Sequence, residues 1–272
     1  MSDTPQQQAA QQTLADLALS VLNTAEPEAK VRLSRAVAEA WHRGAIANVG
    51  HASMPARPAR PEDPALLPAL KMPKRSTGGQ KGRISLLHAL AHIELNAIDL
   101  AWDIVARFTG ENLPRAFYDD WVQVALEEAE HFAMLAESLE FEGARYGDLP
   151  AHNGLWEAAI KTSDDLLARL ALVPMVLEAR GLDTTPKTVE KLRHQGENAA
   201  AAMLAKIAEE EIPHVAAGVR WFEYLAKRRG LDPIPTFRAL IAAHHSGGLK
   251  PPFNEKARDH AGMARAYYEQ SA

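Results

Sequence analysis

The chain has 272 residues, 47% of them hydrophobic and 24% charged, with a net charge of −5 and no cysteine. That composition suits a chain that buries a core and excludes disulfides, thiolate catalysis, Cys-ligated clusters and Cys-type zinc sites. Any metal must be held by His nitrogen and carboxylate oxygen, a donor set that suits iron, manganese or zinc, and the charge gives no overall pull toward nucleic acid.

The N-terminus, MSDTPQQQAAQQ, is polar and lacks the basic-then-apolar layout of a secretion signal. No run approaches the roughly 18 uninterrupted apolar residues of a membrane span; the best candidate, LLARLALVPMVLEA, is interrupted by Arg169 and Pro174. A cytoplasmic protein without a membrane partner is expected. Residues 12–24 and 27–44 are Ala/Leu-rich with apolar positions at helical spacing, separated at Glu26-Pro27. Residues 51–82 are proline-rich and read as a long irregular strap. Between Arg57 and Arg83 seven Lys or Arg stand against Glu62 and Asp63, a basic run that reads as a solvated loop or, alternatively, as a grip on RNA.

From Ile84 the helical signal is strong. Segments 84–109 and 115–145, a stretch ending at Gly181, and a long run from Pro186 to Gly230 give four long helices, and no strand pattern competes. The fold class is all-α. The expected organisation is N-terminal helices and basic strap over 1–83, a four-helix unit over 84–232, and a C-terminal extension over 233–272 packed on it.

Two stretches stand out in that unit. EEAEHF at 127–132 returns as EEIPHV at 210–215. Residues i and i+3 of a helix share a face, so Glu128 projects with His131, and Glu211 with His214. Di-iron and di-manganese carboxylate bundles use two such Glu-x-x-His pairs plus one Glu from each remaining helix. Glu94, inside HALAHIELNAIDL, and Glu178, after the apolar LVPMVL, supply those single glutamates. Glu94 to Glu128 is 34 positions and Glu178 to Glu211 is 33, the mark of a duplicated helical hairpin. A lone glutamate on a helix usually faces solvent; the matched set of six does not read that way. Within each pair Glu127 or Glu210, at i+4 from the histidine, is an alternative to Glu128 or Glu211, and the pattern favours the latter two. Four carboxylates offset two divalent cations that would otherwise repel strongly in an apolar core. The cofactor expected is two metal ions, iron first, with manganese or a mixed pair sharing the same ligands.

Pro213 lies inside the second motif. A proline there removes a backbone donor, and a kink or π-bulge is expected near Glu209–Pro213. His88 and His92 share a face at i, i+4, but Ala89 stands where a zinc protease carries its general base. Glu94 lies about 160° around the helix from His92. The two histidines are expected to pack or make supporting hydrogen bonds.

LLHALAHIELNAIDL, YGDLPAHNGLWEAA, LVPMVLEARGLDTTP and KPPFNEKARDHAGM together resemble a bacterial family of uncharacterised ferritin-like proteins, over roughly residues 10–270. The resemblance implies a ferritin-like core holding the same six ligands and a distant kinship to the di-iron tRNA hydroxylase that acts on a hypermodified adenosine. It implies no substrate. The function expected is an O2-dependent oxidase or hydroxylase, with O2, a small or RNA-borne substrate and an electron donor as partners, and a homodimer left open. The alternatives are a ferroxidase or iron-handling protein, an RNA-modifying hydroxylase, and a bundle whose site has no catalytic role.

Overall fold

The structure, a computed structural model, describes residues 12–73, 78–245 and 247–269. Lys74 and Arg75 of the basic run and the polar residues 1–11 lie outside the described residues. The chain is all-helical; among the described residues the β contacts amount to one isolated parallel bridge between Leu66 and Ala151.

Two short helices come first. α1, Leu14–Leu22, starts with a reciprocal cap in which Thr13 accepts from the Asp16 amide and Asp16 from that of Thr13. α2, Pro27–His42, has proline in its first turn and Glu26 as its cap. α1 packs on α3, Gly79–Arg107, and α2 on α4, Arg115–Phe141. α3 and α4 are the most extensively packed pair in the molecule. α3 is long and apolar enough to cross a membrane by length and composition, yet 67% of its most apolar window is buried inside the fold.

After α5, Gly154–Lys161, the chain enters a second helical pair. α6, Leu166–Leu172, leads into a π-helical segment, Val173–Glu178, and then into α7, Ala179–His194; α8, Asn198–Arg228, runs back along them. The C-terminal α9, Pro233–His244, rests on α6 and α8, α10, Glu255–His260, on α7 and α8, and α11, Arg265–Tyr268, on α9.

Two expectations need correction here. Gly181 does not end a helix, nor does Pro186 start one: α7 passes through both, and the interruption falls at Gly196, whose φ of +80° is open to glycine at little cost. The break expected at Glu209–Pro213 is also missing, since α8 is regular α-helix through Pro213. Pro186 and Pro213 are both solvent-exposed, so water can take the carbonyl that each leaves without a backbone donor. The π segment lies on the partner helix instead, with Pro174 near its start, where a missing donor falls on a backbone pattern already interrupted. Opposite it, a Cβ on Gly218 would lie 2.5 Å from Pro174 Cβ, so α8 needs a glycine to approach the π segment so closely.

Candidate metal centre

α3 carries its polar residues on its buried side. His88, His92, Glu94, Asn96, Asp99 and Asp103 are all buried, against the general rule that such groups go inside only when satisfied. All but Glu94 are accounted for by visible partners. His88 Nε2 accepts from the amides of Gly147 (3.0 Å) and Leu149 (3.4 Å). His92 bonds the Tyr146 hydroxyl at 2.8 Å and the His152 carbonyl at 3.1 Å. These two histidines therefore hold the 146–152 loop, and burial pushes His88 down and His92 down to about 4, keeping both neutral. Asp99 pairs with Lys30 at 2.5 Å and Arg60 at 2.8 Å, which joins α1, α2 and the strap to α3; Lys30 Nζ also donates to the Val21 carbonyl. Asp103 accepts from Arg107 and Arg169.

Glu94 belongs to a different group. One ligand atom each from Glu94, Glu128, His131 and Glu211 lies within 4.8 Å of the others, so this cluster can hold a metal ion. His214 joins it, with Nδ1 3.0 Å from Glu128 Oε1 and 3.4 Å from Glu211 Oε2. His131 Nδ1 lies 3.6 Å from Glu128 Oε2 and 3.6 Å from Glu211 Oε1. Each of these two carboxylates thus sends one oxygen toward each imidazole. The rings face each other with centroids 5.8 Å apart. Glu178 lies outside the tight group, at the end of the π segment, and feels the charges of Glu128 and Glu211. Among the described residues, five buried atoms in and beside this group have no hydrogen-bond partner: both oxygens of Glu128, Nδ1 of His131 and of His214, and Glu178 Oε2.

That pattern is costly for a protein alone. A buried polar atom without a partner forfeits on the order of 1–3 kcal/mol, and four of these five belong to the residues that meet in the cluster. The two imidazole edges and the carboxylates that meet there suit a divalent cation of the iron, manganese or zinc kind. The proton distribution shows the strain. Burial, with the neighbouring carboxylates, holds Glu94 and Glu178 well above the usual carboxylate range. Burial also acts to raise Glu128, but His131 and His214 outweigh it and depress it. Burial acts to lower His131, yet Glu128 and Glu211 bring it up to about 10; His214 is raised as well.

The sequence reading left Glu127 and Glu210 as substitute ligands. The structure places them behind the imidazoles, crossed between the repeats. Glu127 Oε2 lies 2.6 Å from His214 Nε2, and Glu210 Oε2 lies 3.1 Å from His131 Nε2. An acceptor on Nε2 fixes a proton there, so Nδ1 is the nitrogen that faces inward and gives up its proton when a cation binds. The signal for this was present in the doubled Glu of Glu-Glu-x-x-His. What the sequence did not reveal was which histidine each extra glutamate would meet.

Comparison with known proteins adds the following. A family profile described as "Protein of unknown function (DUF455)" matches residues 23–269. An uncharacterised protein of Haemophilus influenzae is 44% identical over 214 residues, covering 76% of this chain and 74% of its own. No solved structure matches.

Proposed function

For this chain, which belongs to the DUF455 family, we propose a di-metal carboxylate protein with a ferritin-like four-helix bundle, acting as an O2-dependent oxidase or hydroxylase. The bundle is read from the two helical pairs α3/α4 and α6–α7/α8. Glu94, Glu128, His131, Glu178, Glu211 and His214 would hold two cations, the carboxylates offsetting their charge and the two imidazoles adding one nitrogen each. The observation that carries this reading is the set of five unpartnered buried atoms on four of those residues. Iron is the first candidate, with manganese or a mixed pair next. When bound, such a pair supplies redox chemistry toward O2.

The chain's own residues do the rest. Glu127 and Glu210 orient the imidazoles. Glu94 and Glu178 store protons while no cation is present. The surrounding core, including Leu95, Phe132 and Val215, excludes water and so strengthens every charge interaction inside.

Catalysis on an organic substrate, as opposed to iron storage, is favoured by a cavity of about 170 Å³ lined by Ile93, Leu177, Met72, Leu155, His92 and His152. Ile93 and Leu177 directly precede Glu94 and Glu178 in the chain, so the cavity draws its lining from the same two helical segments that carry those carboxylates. None of its lining residues among the described residues is charged, and its size is close to that of a cavity able to hold a benzene ring. The substrate class is a small, uncharged, largely apolar molecule. Arg60 and Arg83 of the basic run are engaged internally, with Asp99 and with Glu142 and Glu197, which weakens the case for an RNA-borne substrate.

Metal analysis of protein purified without added metal is the direct test. Two ions per chain are expected, lost in Glu128→Ala, with O2 uptake after anaerobic Fe(II) loading. Metal at background level in the wild type would overturn the reading.

A further inference from the structure

A second cavity, of about 310 Å³, lies against α5 and is lined by none of the residues of the first. Three of its lining residues are Arg57, Arg107 and Arg169, joined by Ser163 and by the apolar surfaces of Trp156 and Ile160. Among the described residues no carboxylate lines it. Behind it Asp103 accepts from Arg107 and Arg169 together, so among these residues three guanidinium groups stand with one carboxylate. Arginine stays charged throughout the accessible pH range, which leaves the cavity with an excess of two positive charges.

The cations fall into two kinds. Arg169 is fully engaged: Nε donates to Thr162, Nη1 to Asp103 and Nη2 to the Ala159 carbonyl. Arg107 spends Nε and Nη2 on Asp103 and the Pro55 carbonyl. Its Nη1, the whole guanidinium of Arg57 and the Ser163 hydroxyl make no hydrogen bond among the described residues. The first pair of arginines is thus a rigid, pre-set wall, and the donors left over belong to the same cavity. An apolar floor beside convergent donors of one sign is the usual make-up of a small-molecule site, and planar guanidinium donors match tetrahedral oxyanions.

We propose that this cavity binds a small phosphorylated molecule, with its phosphate between Arg57 and Arg107, Ser163 donating to it, and its apolar body against Trp156 and Ile160. Asp103 stands nine residues beyond Glu94 on α3, about 13 Å along the helix axis, so this site is separate from the metal centre and the inference does not rest on that reading.

The test is calorimetric titration of the full-length protein with methyl phosphate and with pyrophosphate. Saturable one-to-one binding is expected. Arg57 is on the surface, so Arg57→Ala leaves the fold intact; loss of a charge-assisted contact there weakens binding about tenfold or more. Ser163→Ala weakens it by a smaller factor. Lys81→Ala removes the same charge from an exposed position outside the cavity and leaves affinity unchanged. Glu178→Gln disables the metal centre and also leaves it unchanged. No saturable binding at millimolar probe, equal losses in Arg57→Ala and Lys81→Ala, or loss in Glu178→Gln would each overturn the proposal.

Discussion

At the scale of single residues, the crossed contacts give the sharpest expectations. Glu127→Gln and Glu210→Gln should each weaken metal binding by about 10–100-fold, because an imidazole without its Nε2 acceptor loses tautomer and orientation. Glu130→Gln, on an exposed position of the same helix, should leave binding unchanged; competition titration against a chelating dye reads all three. Glu178 is held protonated in the metal-free protein by burial and by Glu128 and Glu211. Its neutral isostere, Glu178→Gln, should therefore leave the apo melting temperature close to wild type while removing metal binding. Loading must also expel protons. His131, His214, Glu94 and Glu178 all have raised values in the folded chain, so they hold protons near neutrality that a cation displaces. Metal affinity should rise with pH, with more than one proton released per chain, measured by calorimetry in buffers of different ionisation enthalpy. The grouping of Glu128 with His131 was legible because i and i+3 share a face whatever the tertiary context. The role of Glu127 was not, because its partner stands 87 positions away.

At the scale of elements, the π segment and its neighbour set the packing. Gly218→Ala puts a methyl carbon within 2.5 Å of Pro174 and should cost about 2 kcal/mol, seen in urea unfolding, as overpacking generally does. The 146–152 loop gives a pH dependence of its own. The folded-state value of His92 lies at about 4, below its ordinary 6.5, through burial and then Arg60. The sign follows: its neutral form is favoured by folding, so the contribution is complete above pH 6.5 and is lost as the pH falls from there to about 4. At 1.36 kcal/mol per unit this is roughly 3 kcal/mol. The melting temperature should drop across that window, and less steeply in His92→Gln. Helix existence was readable from apolar spacing, and so were the starts at Pro27 and after Pro114; the boundaries in the second half were not. Gly181 and Pro186 resemble punctuation in a string, but helix packing overrides a weak local preference, and Pro186 and Pro213 happen to face solvent.

At the scale of the whole molecule, the appendages are bound by buried charge. Lys30, with no exposed surface, reaches Asp99 and the Val21 carbonyl. Lys30→Met should destabilise the chain by about 3 kcal/mol, the loss expected when one partner of a buried pair is removed, with Arg60 limiting the damage; thermal denaturation measures it. Such joints are invisible to a reading of local pattern, since 69 positions separate the two residues. The all-α class was visible, as was the irregular strap, whereas its seat on Ala151 through the Leu67 amide depends on contacts no local window contains. The crossed glutamates carry one more consequence. Each hairpin supplies the clamp for the other's imidazole, so neither can be perfected in isolation: a substitution that loosens one arm misaligns the donor across the centre line. Cleaved at Gly196 and produced as separate fragments, the halves should be inert alone and regain ion capture only on mixing.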